Sequence, residues 1–561
     1  MSKIALRIIA FIGILAAAIS GPQSSAKMPD RPEVQIPQGR LTGAITDDIR
    51  IFKGIAYALP PVGERRWQPP APPAKWQGTY DASAFGASCI QSPYPANSVY
   101  FEELAATSED CLTLNIWSPK NANGAPVVVW IHGGALQRGS SASPMYDGTE
   151  YAKRGIVFVS INYRLGVFGW LAHPDLSAES AVGISGNYGL LDQIAALEWV
   201  KGKIGVFGGD AQNVTVMGES AGALSVTYLL ASPLARGLFA KAIIQSANIR
   251  AVPRLRDPAF GMPAAETIGV MLGEDITALR KLDAGVLMRK ARLARFSAQG
   301  TVDGRILPAQ VVDIFDRGEQ AKVPILAGLN SGEIRSQRSL IPEAPRQPAA
   351  YEAEIKRRYG NLSPAYLKLY PASDIAESQL AATRDSVYGW SIERLIRHQA
   401  ATGQPAYSFV FDHCYAAARA RGLCNFHAGE IPFTFGHISS DARLPPNWPV
   451  PVDAADDALA TVIIDYWTSF AATGVPSAAT GPLWPAFDNG QARMRFAATP
   501  VVEHGRAAAM FELHEQVVTQ RRCYDEQWFI NMAPIKPCPQ DCSLYIDGCC
   551  QSKVADQSSR C

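Results

Sequence analysis

Hydrophobic positions fall into short runs separated by helical patterns through the middle of the chain. Val127–Ile131 is an unbroken apolar run, and Ile156–Ile161 and Val323–Ala327 are further apolar strand candidates. None shows the polar alternation of a half-exposed strand, so each predicts a strand covered on both faces, as in a parallel sheet. Asn213–Met217 (NVTVM) is β-rich, and Ala406–His413 (AYSFVFDH) is strand-like. Between them, Leu190, Ile194, Leu197, Val200 and Ile204 recur at helical spacing within Asn187–Ile204; Asp192 and Glu198 on that helix read as structural. Ala221–Leu230 is a proline-free helix, and Ala454–Thr473 is a helix stopped by Gly474 and Pro476. Strand, helix and strand in this order predict an α/β chain with a mostly parallel sheet and crossover helices.

The two ends break this pattern. Lys3 and Arg7 precede an apolar segment, Ile8–Ile19, and small residues follow. That is the layout of a secretory signal spanning 1–26, with cleavage after Ser20 or after Ala26. The segment is shorter than a membrane span of ~20 residues. No second long apolar stretch occurs, so no membrane anchor is expected, and the mature protein is read as secreted or periplasmic. Pro534–Cys561 carries five cysteines and little apolar content, so 531–561 reads as a Cys-rich tail, either disulfide-held or disordered. The remaining 27–530 form the candidate folded domain. A formal net charge of +1, with both signs mixed throughout, points away from nucleic acid. Ten cysteines in an exported chain suggest disulfides.

Candidate chemistry sits where strands end. Gly218-Glu219-Ser220-Ala221-Gly222 follows the NVTVM strand and opens a helix, the context of a nucleophile elbow that pushes a serine hydroxyl out of a sharp turn. Val127–Ile131 empties into His132-Gly133-Gly134-Ala135, a loop of the type that aims backbone amides at a developing oxyanion. A serine nucleophile needs a base, and the base an orienting acid, in the chain order Ser, Asp or Glu, His.

Phe207–Gly222 (FGGDAQNVTVMGESAG) resembles the serine signature of the type-B carboxylesterase and cholinesterase family. Gly54–Pro70 (GIAYALPPVGERRWQPP), Glu109–Pro119 (EDCLTLNIWSP) and Asn162–Gly166 (NYRLG) are similar to further segments of it. The likeness runs from about Gln38 to about Trp528. It implies a doubly wound α/β-hydrolase fold and no metal or organic cofactor. Gly328-Leu329-Asn330-Ser331-Gly332-Glu333 resembles the family's acid loop, which makes Glu333 the triad acid. His427 lies in a segment resembling the family's histidine loop, with Ala428 in place of its usual glycine. His413, at the end of a strand-like run, is the competing histidine. By the same resemblance the oxyanion donors are the amides of Gly134, Ala135 and Ala221, Ala135 replacing a glycine. Cys111 would pair with Cys89. Cys414 and Cys424 are placed for a second, local bridge just before His427.

These implications predict a carboxylesterase acting on a small-molecule ester through an acyl-enzyme. The stretch between Cys89 and Cys111 contains Tyr94, Tyr100 and Phe101 but no tryptophan, which argues against the choline esters of the family's cholinesterases. A lactonase or amidase would share the mechanism, and a non-catalytic adhesion protein is the reading from a different class. Arg138, Arg335 and Arg338 follow the oxyanion and acid loops closely. If they face the pocket, they suit an ester bearing an acidic group; if not, they are solvated loop residues. Nothing in the chain speaks to its oligomeric state.

Overall fold

Each apolar run becomes a strand flanked on both faces. In the computed structural model the described residues are 31–528 and 534–536, apart from 105, 274 and 489; the expected leader, and all but 534–536 of the Cys-rich tail, lie outside them. The central sheet comprises β1 (Ala44–Thr46), β2 (Ile49–Ala56), β3 (Thr113–Pro119), β4 (Ala125–Ile131), β5 (Val157–Ile161), β6 (Gly209–Glu219), β7 (Lys241–Gln245), β8 (Ile325–Asn330), β9 (Ala406–Phe411), β10 (Ala492–Phe496) and β11 (Pro500–His504). Its order is β11-β10-β9-β8-β7-β6-β4-β5-β3-β2-β1. The run from β5 to β10 is parallel, and the pairs at both edges are antiparallel.

Alternation along β4 explains its uninterrupted hydrophobicity. Val127, Val129 and Ile131 join one core; Val128 and Trp130 join the core on the opposite face. The first is covered by α1 (Tyr188–Lys203) and α2 (Ala221–Ala231). An excursion after β8 adds to the same side α3 (Ile375–Arg384), a π-helical turn at Asp385–Gly389, and α4 (Trp390–Ala401). The second core is closed by α5 (Ala454–Thr473). A capping box of Asp453 and Asp456 starts α5, and Gly474, at φ 83°, ends it. A last helix, α6 (Ala508–Cys523), contributes Val518 to the first core.

The sequence reading and the structure differ mainly at boundaries. The NVTVM strand begins earlier, at Gly209, and runs to the residue before Ser220. The run read from Val323 pairs only from Ile325, because Pro324 has no N–H for the ladder. Asp192 is structural: it is fully buried and holds the Arg164 guanidinium at 2.7 and 2.8 Å. Both expected bridges are present, Cys89–Cys111 and Cys414–Cys424.

Candidate active site

Strand ends bring the site together. β6 delivers Ser220, which starts α2 with φ 56° and ψ −120°. That conformation is sparsely populated for a residue with a side chain, and the packing around it must hold it there. The glycine two residues on is dictated by space: a Cβ on Gly222 would stand 2.0 Å from the Ile131 carbonyl oxygen. The serine turn therefore packs directly on the end of β4.

The loop leaving β4 lies beside this turn. Gly134 has φ 107° and Ala135 φ 57°, so the chain reverses within two residues. A Cβ on Gly133 would approach the Glu219 carboxylate to 2.7 Å. The loop is propped from inside by His132, whose ring stacks on Tyr163 at 4.7 Å and whose Nδ1 lies 2.8 Å from the Gly133 carbonyl. Burial depresses His132 to a pKa of about 4 despite that carbonyl, so it is neutral and acts as a prop. The amides of Gly134, Ala135 and Ala221 make no backbone hydrogen bond among the described residues, and Ala221 carries one of the open N–H groups of a helix start.

His427 lies between Ser220 and Glu333. Its Nε2 is 2.7 Å from Ser220 Oγ, and its Nδ1 is 2.5 Å from Glu333 Oε2. Glu333 is fully buried, and its other oxygen accepts from Ser246 Oγ at 2.6 Å and from the Asn330 amide at 2.8 Å. Tyr100 donates to the His427 carbonyl at 2.9 Å, and the Tyr388 ring lies 5.1 Å from the imidazole. The competing histidine, His413, is held instead by Asp456 at 2.6 Å.

Glu219 adds a second carboxylate, 3.2 Å from His427 Nε2. Burial raises this carboxyl to about 8, with Glu430 and Glu333 adding to the rise and His427 opposing it. Burial pulls His427 down, but Glu219, Glu333 and Glu430 outweigh it and lift the imidazole to about 9. The two groups compete for one proton and titrate as a pair. Glu430 is itself tied down by Gln245 at 2.9 Å and Asn330 at 2.5 Å.

Ser220 and His427 face a cavity of about 230 Å³. Tyr94, Tyr100, Tyr146 and Trp448 supply much of its wall, with Glu102 the other carboxylate besides Glu219. Two of these aromatics belong to the Cys89–Cys111 loop, so that bridge fixes one wall. Trp448 reaches the cavity from a later loop, its ring 6.0 Å from that of Tyr100. None of the three arginines lines the cavity. Arg138 stands over the Tyr94 ring at 4.8 Å. Arg335 is taken by Glu377 at 2.9 Å, and Arg338 is exposed. The expectation of a three-arginine mouth is corrected accordingly. Sequence reasoning also passed over Ser246, Tyr388 and Trp448, and it gave Glu219 no part although the residue stands inside the serine motif. No cluster of His, Cys, Asp or Glu suited to a metal occurs among the described residues.

Comparison with known proteins gives the family. A family model described as the carboxylesterase family matches residues 30–513. A fumonisin B1 esterase of Sphingopyxis macrogoltabida is 39% identical over 479 residues, covering 83% of this chain and 86% of the relative. A para-nitrobenzyl esterase of Bacillus subtilis is 33% identical over 80% of this chain and 91% of its own length. Among solved structures, a PNB esterase superposes with a TM-score of 0.74 at 30% identity, covering 86% of this chain and 99% of that one. A carboxylesterase of Geobacillus stearothermophilus gives 0.72 at 33%, with the same coverage.

Proposed function

The chain belongs to the carboxylesterase family and is a carboxylic-ester hydrolase, and we propose that it acts outside the cytoplasm through an acyl-enzyme formed on Ser220. The observation that carries the mechanism is the hydrogen-bonded series Ser220–His427–Glu333 beside the aromatic cavity. In this reading His427 Nε2 takes the Ser220 proton as Oγ adds to the ester carbonyl. Glu333 keeps the imidazole oriented and stabilises its charged form. The amides of Gly134, Ala135 and Ala221 receive the oxyanion, each such donor contributing about 3 kcal/mol to the transition state. His427 then returns the proton to the departing alcohol. In the second half it draws a proton from water, which releases the carboxylic acid and restores Ser220.

Secretion is proposed from the leader pattern and is supported by two disulfides, which persist in oxidising compartments. The same assignment takes 27–530 as one hydrolase domain. For substrate, the aromatic wall supports a bulky ester, in keeping with relatives named for fumonisin B1 and para-nitrobenzyl esters. The acid-bearing ester has little in its favour: none of Arg138, Arg335 and Arg338 lines the cavity, and Glu102, which does, works against it. An intact serine, histidine and glutamate works against the adhesion reading.

The test is Ser220→Ala assayed on an ester panel varied in size and charge. A loss of about 10⁴-fold or more in kcat, with an unchanged melting temperature, is expected. A phosphonate should add its mass to the Ser220 peptide. Appreciable turnover by the folded variant would remove Ser220 from the mechanism.

A further inference from the structure

A second cavity, of about 290 Å³, lies against the loop that carries Glu333, with Leu329 and Ser331 in its wall. Its remaining wall is rich in arginine. Arg493 and Arg495 project from β10 on the face opposite Met494 and Phe496, which are buried in the second core. Arg384 is the last residue of α3, and Arg506 follows β11.

The charges do not cancel. Arg384 Nε donates to Asp385 at 2.7 Å, Arg495 Nε to Asp412 at 2.7 Å, and Arg493 Nη2 to Glu503 at 3.0 Å. Arg506 is exposed and forms no ion pair among the described residues. Arg493 Nε is buried without an acceptor. Four arginines against three carboxylates leave one positive charge in excess and planar donors unfilled. Guanidinium forks suit carboxylates, which they grip through paired N–H donors. The volume is near the lower end of small-ligand pockets, about 300–1,000 Å³, and exceeds what a lone ion fills.

We propose that this cavity binds a small polycarboxylate anion, and that its occupancy is felt at the Glu333–His427 pair. Two contacts provide the connection. Ser331, two residues before Glu333, donates its hydroxyl to Asp412 at 2.5 Å and gives its carbonyl to Arg384 Nη1 at 3.0 Å. An anion that draws Arg495 from Asp412, or Arg384 from Ser331, therefore acts on the acid loop. The π-helical turn is the second contact: Asp385 and Gly389 line the arginine cavity, while Tyr388 of the same turn packs on His427. Such turns are frequent at functional sites.

The experiment is calorimetric titration of the whole mature protein with citrate at constant ionic strength. Acetate and phosphate serve as comparison probes. One citrate per chain is expected, bound more tightly than either comparison anion. Arg506→Gln and Arg493→Gln should each weaken it about tenfold, the loss of a charge-assisted hydrogen bond. Arg506 is exposed, so its variant tests the site without risk to the fold; melting curves monitor Arg493→Gln. No saturable binding, or binding unchanged in both variants, would overturn the site, and phosphate binding as tightly as citrate would overturn the ligand class. Binding abolished by a phosphonate on Ser220 would place the anion in the catalytic cavity, which also overturns the proposal. A kinetic arm follows hydrolysis of a neutral ester. Saturating citrate should change kcat at least about twofold in the parent, and the citrate concentration giving half of that change should be about tenfold higher in Arg506→Gln, since the coupling runs through the hydrogen bonds of the acid loop. Citrate that binds without moving kcat would sink the connection to Glu333. The titration itself reads binding whether or not the serine mechanism holds.

Discussion

The two sides of His427 are built differently. On the serine side, position is set by backbone: a strand end, a positive φ at Ser220, and glycines whose Cβ atoms would strike main-chain oxygens. On the acid side, position is set by side chains. Glu333 is held by Ser246 from beyond β7 and by the Asn330 amide, and the neighbouring Glu430 by Gln245 and Asn330. A backbone-built half resists small changes but fails abruptly when space is violated. A half built from hydrogen bonds loses its function in steps, one donor at a time.

The contrast breaks most visibly at Glu333. Glu333→Gln keeps the size of the side chain but removes the charge that stabilises the imidazolium, and kcat should fall by about 10³–10⁴-fold. Steady-state kinetics alongside a melting curve checks this; a loss of tenfold or less would assign the orienting role elsewhere. Next in size is Gly222→Ala on the opposite side. The added methyl meets the Ile131 oxygen, so activity and stability should fall together, the latter by about 1–3 kcal/mol, as overpacking does. An active, equally stable variant would mean that the serine turn is less tightly seated than described.

The smallest effect sharpens the comparison through pH. In the proposed mechanism hydrolysis needs neutral His427, so kcat/KM should rise with pH as the imidazolium loses its proton, with a midpoint near 9. Glu219→Gln removes the nearest charge favouring the imidazolium on the Nε2 side. His427 then titrates lower, and the acid limb should move to lower pH. A limb that stays in place, or moves upward, would show that Glu219 does not set the basicity of His427.

The same division explains what was legible in the sequence. Backbone constraints leave glycines and small residues at fixed spacing, so the serine turn and the oxyanion loop could be read directly at Gly218–Gly222 and His132–Ala135. Glu333 and His427 were readable through the loops that carry them. The residues that steady them were not, because Ser246 meets Glu333 across 87 positions. Trp448 enters the cavity on a loop with no periodic pattern, and Tyr388 sits in a helical excursion that the strand–helix alternation did not announce. Glu219 was visible in the motif, but its approach to His427 exists only once the chain is folded. Arg335 and Arg338 misled for the opposite reason. Proximity to Glu333 along the chain says nothing about direction, and Glu377 draws Arg335 away.

The backbone at Ser220 also bears on how such a chain changes over generations. A residue held at φ 56° and ψ −120° costs on the order of 1–3 kcal/mol, a strain that glycine largely escapes. Selection for hydrolysis therefore keeps at position 220 a residue that selection for foldedness alone would exchange. Ser220→Gly should be inert and yet melt higher than the parent. In a lineage relieved of its substrate, drift at this codon would run toward glycine, and loss of catalysis would bring a gain in stability.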